Sequence, residues 1–213
     1  MFTRKIAAVA IAAAVVLTPS IASAQEEGDA DNPVPDLPEV ALDLTEEDPV
    51  ETDGDVVTCH GLEATIVGTD GDDEIVGTPG RDVIVTFGGD DTIWAKGGND
   101  VVCAGAGDDL IRGARGHDAI FGGLGADRIF GGSRGDFLHG GAGDDEIFGR
   151  TGRDLVVGGL GDDILFGNRH ADWLEGGPGN DVLSGGKGRP DVCIGGLDAD
   201  IASRGCEVVV SAI

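Results

Sequence analysis

A carboxylate recurs every nine residues through most of this chain, and no other feature restricts its fold as strongly. From Gly68 the sequence divides without a gap into GTDGDDEIV, GTPGRDVIV, TFGGDDTIW, AKGGNDVVC, AGAGDDLIR, GARGHDAIF, GGLGADRIF, GGSRGDFLH, GGAGDDEIF, GRTGRDLVV, GGLGDDILF, GNRHADWLE and GGPGNDVLS. The sixth position is Asp in all thirteen units: Asp73, Asp82, Asp91, Asp100, Asp109, Asp118, Asp127, Asp136, Asp145, Asp154, Asp163, Asp172 and Asp181. The eighth is always aliphatic, from Ile75 through Ile129 to Leu183. A fourteenth unit with one inserted residue places its carboxylate at Asp191, and a degenerate fifteenth, GGLDADIAS, carries Asp200.

Each unit reads as a Gly-rich turn followed by a strand of about three residues. Positions one to four favour Gly, where the backbone turns through positive φ and passes close to its neighbour. In the triplet that follows, the middle side chain points inward and the flanking ones outward. A single unit cannot bury its one Ile or Leu, so units must stack. Two units complete one coil. The expected fold is therefore all-β, a parallel β-solenoid of about seven coils around aliphatic columns.

Composition agrees. The chain has 213 residues, 39 of them Gly, with 40 Asp or Glu against 14 Lys or Arg and a net charge of -26. Aromatic residues make up only 4%, too few for an ordinary aromatic core. So acidic a chain repels nucleic acid phosphates and attracts cations.

Two segments precede the repeats. Residues 1–24 read as a secretory signal: Arg4 and Lys5, an apolar run from Ile6 to Leu17, then Ala22-Ser23-Ala24 with cleavage expected after Ala24. Twelve apolar residues fall short of the about 20 needed to span a bilayer, so the segment predicts export, with no membrane span. Residues 25–55 hold 13 acidic residues, no basic ones, and Pro33, Pro35, Pro38 and Pro49, the composition of a disordered acidic arm. Residues 56–213 form the repeat domain.

Units such as GGAGDDEIF (140–148) and GGLGDDILF (158–166) resemble the hemolysin-type calcium-binding repeat, the RTX nonapeptide GGxGxDxUx. The resemblance covers residues 68–203. It implies a right-handed parallel β-roll holding multiple Ca²⁺ ions between turns of successive coils. The sixth-position Asp residues above, with Asp191, would supply carboxylates. Backbone carbonyls at positions one and three would add oxygens: Gly68 and Asp70, Ala104 and Ala106, Gly122 and Leu124, Gly140 and Ala142, Gly158 and Leu160, Gly176 and Pro178. Hard oxygen donors without imidazole or thiolate suit Ca²⁺. Carboxylates stacked about 4.8 Å apart repel by about 0.9 kcal/mol in water and about 3.5 kcal/mol at an effective dielectric constant of 20, so the row needs cations. The expectation is a repeat region that folds on binding calcium. The alternative is a metal-free solenoid whose Asp residues form Asx turns.

With two units per coil, alternate units share an edge. Units beginning at 68, 86, 104, 122, 140, 158 and 176 carry 13 Asp and no basic residue in positions one to six. The intervening units carry seven Asp and nine basic residues: Arg81, Lys96, Arg115, Arg134, Arg150, Arg153, Arg169, Lys187 and Arg189. This asymmetry predicts tighter calcium binding on the acidic edge, with Asp109→Ala more damaging than Asp136→Ala; free drift of exposed fifth positions is the alternative. Outward-facing apolar rows also alternate. Position seven of the basic-edge units is Val83, Val101, Ala119, Phe137, Leu155, Trp173 and Val192, and position nine of the others includes Trp94, Phe130, Phe148 and Phe166. Such rows stiffen a sheet or form an association surface, including one for self-association.

Four Cys in an exported chain favour two disulfides, and proximity pairs Cys193 with Cys206, leaving Cys59 with Cys103, as clamps on the end coils. No HExxH, GxSxG or other catalytic grouping occurs, and the arm is too short for an enzyme domain. The chain reads as a non-enzymatic, secreted calcium-binding protein with a structural or interaction role. An adhesin or surface component with an extracellular or cell-surface protein partner is the alternative, and a cryptic hydrolase or toxin fragment a further one.

Overall fold

Parallel stacking of short strands, each paired with the strand two units along the chain, builds the repeat region. A computed structural model describes residues 50–53, 56–188, 190–202 and 205–211. The signal segment and most of the acidic arm lie outside the described residues. A hairpin opens the described chain: β1 (Val50–Asp53), which takes the last part of the stretch assigned to the arm, β2 (Val56–Cys59) and β3 (Leu62–Glu63), paired antiparallel.

Two parallel sheets follow, traversed alternately by the chain. The first contains β4 (Ile66–Val67), β6 (Val83–Val85), β8 (Val101–Ala106), β10 (Ala119–Leu124), β12 (Phe137–Ala142), β14 (Leu155–Leu160), β16 (Trp173–Pro178), β18 (Asp191–Leu197) and β20 (Cys206–Ser211). The second contains β5 (Glu74–Val76), β7 (Thr92–Trp94), β9 (Leu110–Arg115), β11 (Arg128–Ser133), β13 (Glu146–Thr151), β15 (Ile164–Arg169), β17 (Val182–Lys187) and β19 (Ile201–Ala202). This is a β-solenoid of about eight coils. The extra coil relative to the sequence estimate comes from β4 and β20, which flank the regular units. The inserted residue before Asp191 leaves the ladder intact, with Trp173 opposite Val192 and Leu174 opposite Cys193.

The register places equivalent residues in straight columns. Ile120 lies between Val102 and Leu138, and Ile129 between Ile111 and Ile147. The eighth-position residues of the two sheets form one core cluster, in which Ile84 through Cys193 are fully buried. Each contributes roughly 1.5–3 kcal/mol of apolar burial. Removing one leaves a gap that rigid neighbouring coils cannot close, so Ile147→Ala should cost about 2–5 kcal/mol. Denaturant unfolding in calcium measures this; a loss below about 1 kcal/mol would contradict a tightly packed column.

Two departures from the three-residue strand matter for the site. From β8 onward most strands are six residues long and run through positions one to three of the next unit. Burial along β13 alternates, so first-position Gly149 faces the interior as Ile147 does. The first position is therefore part of the core lining, beside the buried carboxylate, and not simply a turn.

The second departure is the hairpin. It packs on the outer face of the first sheet, where Cys59, Val83, Val85, Val101, Cys103, Ala119, Phe121 and Phe137 form a separate buried cluster. His60 stacks on Phe121 at 3.9 Å between ring centroids, and burial together with nearby His60 pushes His139 down to about 4. Half of the outward apolar row is thus covered by the chain itself, while Leu155 is partly buried and Trp173 remains exposed. Both expected disulfides form, with Cα separations of 5.9 Å for Cys59–Cys103 and 5.6 Å for Cys193–Cys206. Cys59–Cys103 fastens the hairpin to the sheet face, whereas Cys193 continues the core column at the closing coil.

Candidate metal centres along the roll edges

Each turn delivers its sixth residue to the same place, immediately before a strand and against the core. Asp91, Asp100, Asp109, Asp118, Asp127, Asp136, Asp145, Asp154, Asp163, Asp172, Asp181 and Asp191 are all buried. One oxygen of each is held by the coil before it. The amide of Asp109 donates to Oδ1 of Asp127 at 2.9 Å and that of Asp127 to Oδ1 of Asp145 at 2.8 Å. The same bond, 2.7–3.0 Å long, runs without interruption from Asp73 N to Asp91 through Asp181 N to Asp200.

The other oxygen has no partner. Oδ2 is buried and without a hydrogen bond in Asp91, Asp100, Asp109, Asp118, Asp127, Asp136, Asp145, Asp154, Asp163, Asp172, Asp181, Asp191 and Asp200. An ionised oxygen left this way is expensive, so each site must either hold a proton or gain a cation. Burial, partly offset by the backbone hydrogen bond and reinforced by neighbouring carboxylates, pushes Asp136 up to about 9 and Asp127 and Asp172 to about 8. Burial likewise raises Asp100, Asp109, Asp145, Asp154 and Asp163 to about 7, and Asp118 and Asp181 to about 6.

Oxygen donors of the next coil face these orphaned atoms. A Cβ added to Gly140 would run into Oδ2 of Asp145 and come within 2.7 Å of the Gly158 carbonyl. At Gly158 it would meet Asp163 and the Gly176 carbonyl, and at Gly122 it would meet Asp127 and the Gly140 carbonyl. The missing side chain is what lets carboxylate and carbonyl both lie against the glycine. Third-position carbonyls lie nearby in the ladder: Leu124, Ala142, Leu160 and Pro178 each accept a fourth-position amide from the preceding coil at 2.7–3.1 Å. A carbonyl has a second lone pair, so each retains acceptor capacity.

This donor set fits a hard cation. Every convergent atom is a carboxylate or carbonyl oxygen, as Ca²⁺ requires. Among the described residues no group of three His, Cys, Asp or Glu side chains could hold a metal. That agrees with a site made of one carboxylate per unit and main-chain oxygens from two coils.

The RTX calcium-binding nonapeptide repeat model matches four times, over residues 67–102, 104–129, 130–165 and 166–202. The chain belongs to this family. No curated protein matches it. The four RTX matches together span the columns of unpartnered carboxylates, from Asp91 to Asp200.

Within this RTX roll the two edges are as the sequence arranged them, but the sixth-position geometry is alike on both. Asp136 and Asp154 on the basic edge are as buried and as unpartnered as Asp127 and Asp145 on the acidic one. Arg134 and His170, which replace the fourth-position Gly, adopt φ of 84° and 80° and keep the turn shape. The preference for the acidic edge therefore finds no basis in the carboxylate sites themselves.

Fifth-position residues have a role that the sequence reading did not assign to them. The amide of Asp108 donates to Asp90 at 3.0 Å, that of Ala126 to Asp108 at 2.8 Å, and that of Asp162 to Asp144 at 2.9 Å. These exposed carboxylates cap turn amides of the following coil, opposite in direction to the buried ladder. The GDD pairs recurring in alternate units were the available signal.

On the outer face of the second sheet, Phe130, Phe148 and Phe166 stack at 5.0 Å. Arg112 lies between Trp94 and Phe130, and Arg150 reaches over Phe130. Arg128 pairs with Glu146 beside them. This row is a packed ladder, one of the two readings that the sequence left open.

Proposed function

We propose that the protein is an exported calcium-binding protein whose repeats gain their stable coiled form by taking up Ca²⁺ between stacked turns, with a structural or interaction role outside the cell. The observation that carries this reading is the line of buried, unpartnered Oδ2 atoms facing backbone carbonyls of the next coil. Bound calcium supplies the positive charge that these oxygens lack. Asp127, Asp145 and Asp163 would hold it with the Gly140, Gly158 and Gly176 carbonyls, and equivalent residues would do so along both edges. The chain contributes the rest: coil register to align the oxygens, glycine to let them approach the backbone closely, and the core column to exclude water.

Export is supported by the leader-like residues 1–24 and by the two disulfides, which persist in oxidising surroundings. Exposed Trp94 and Trp173 favour a second role as an adhesive or surface-associated component. Calorimetric titration of the chelated full chain with CaCl₂, followed in parallel by circular dichroism, tests the central claim. Uptake of several ions with a gain of β signal is expected. Absence of any uptake would refute the calcium reading.

A further inference from the structure

Resting on the calcium reading, we propose that calcium enters the roll only from Gly113 onward, and that the five units before it form a metal-independent seed on which the calcium-bound coils build. The boundary is drawn by side chains in the space beside each sixth-position carboxylate. In the first two units the carboxylate is already satisfied. Oδ2 of Asp73 accepts the Thr69 amide at 2.6 Å and its hydroxyl at 3.1 Å, and Oδ2 of Asp82 accepts the Thr78 amide and hydroxyl at the same distances. Neither oxygen is among the unpartnered ones.

The next three units close the space by another means. Their first residues are Thr86, Ala95 and Ala104, whereas every later unit begins with Gly. All three are fully buried, and the Thr86 hydroxyl donates to the Ala104 carbonyl at 2.7 Å, using a first-position oxygen of the kind left open farther along. A Cβ at Gly122, Gly140, Gly158 or Gly176 would strike the carboxylate oxygen. Ala95 and Ala104 carry that Cβ, so Asp100 and Asp109 cannot lie against the first-position backbone as closely as Asp127 and Asp145 do. Their Oδ2 atoms stay unpaired, but beside a first-position side chain that every later unit lacks.

A second observation bears on the same coils. The hairpin and the Cys59–Cys103 bond lie over β6 and β8, and the outer cluster starts there with Val83, Val85, Val101 and Cys103 before running on to Ala119, Phe121 and Phe137 of β10 and β12. The coils of β6 and β8 are therefore held by a covalent staple as well as by this second apolar layer, which later coils share only as far as β12. From Gly113 the reverse holds: a first-position glycine against an orphaned Oδ2 recurs in every unit, first at Asp118 with the Gly131 carbonyl beside it.

Hydrogen exchange of the unmodified full chain, read by mass spectrometry in EDTA and in CaCl₂, tests this directly. Amides of residues 83–106 should be protected in both, and those of 137–187 only in calcium. Uniform loss of protection in EDTA, or uniform retention, would overturn the seed. Calcium counting by equilibrium dialysis adds the site assignment. Gly140→Ala should lower the bound calcium by about one ion and Ala104→Gly should raise it by about one. Unchanged stoichiometry in both, while the native chain still binds several ions, would overturn the boundary and leave the calcium reading standing. No binding by the native chain would remove both.

Discussion

With calcium chelated, the roll should be weakest at and above neutral pH and should regain β structure as the pH falls toward 4. The ten carboxyls from Asp100 to Asp181 are raised by burial from an ordinary value near 3.8 to about 6–9. The coiled chain thus binds more protons than the unfolded chain between these limits. Stability from this source is fully present below the unfolded value and is lost as pH rises through the folded values. A tenfold change in one group's acidity corresponds to about 1.4 kcal/mol, so ten such groups together are comparable with the roughly 5–15 kcal/mol that holds an ordinary domain. Calcium should reverse the trend, because it needs the same oxygens deprotonated. Circular dichroism from pH 8 to 4, with EDTA or CaCl₂, would show the two curves converging at the acid end. A chelated protein whose β signal falls on acidification would contradict the buried-carboxylate account.

Protons and calcium are then alternative solutions to one problem that the repeat creates. The sixth-position Asp is placed where its amide and Oδ1 tie neighbouring coils together, as Asp109 does with Asp127. The same placement strands Oδ2 against the core. An Asn would keep the hydrogen-bond acceptor without the charge, so the retention of Asp in every unit is explained by the cation and not by the ladder alone.

The period made the coil length, the parallel pairing and the facing columns readable before any coordinates, since each follows from one inward residue per nine. The disulfide pairing followed from proximity. Features that depend on exceptions to the period were not readable. Gly122 and Gly140 looked like turn residues because Gly is common in turns; their inward direction depends on strands that extend past the aliphatic triplet. Thr69 and Thr78 carry no signal in the nine-residue period, yet their donors satisfy Asp73 and Asp82. The hairpin lies outside the repeat, and its seating on Val83, Val101 and Phe121 depends on long-range packing. The edge asymmetry drew attention across the roll, while the differences at the carboxylate sites run along it.

Breaking Cys59–Cys103 should therefore have a larger effect than breaking Cys193–Cys206. The first closes a separation of 44 residues and the second one of 13. Chain entropy alone assigns them about 4 and about 3 kcal/mol. The first bond also holds the hairpin over Val83, Val85, Val101, Phe121 and Phe137, so its loss exposes an apolar layer that the roll does not otherwise cover. At the other end, Cys193 is fully buried within the core column and Cys206 packs against that column, so no separate apolar layer depends on the bond. In saturating calcium, a Cys59→Ser/Cys103→Ser double variant should bind a hydrophobic dye and lose more thermal stability than Cys193→Ser/Cys206→Ser. In EDTA the contrast should widen, because the stapled coils would be the ones expected to persist without metal. Equal losses in both solutions would mean that the hairpin is an ornament on the roll and not the lid of its outer core.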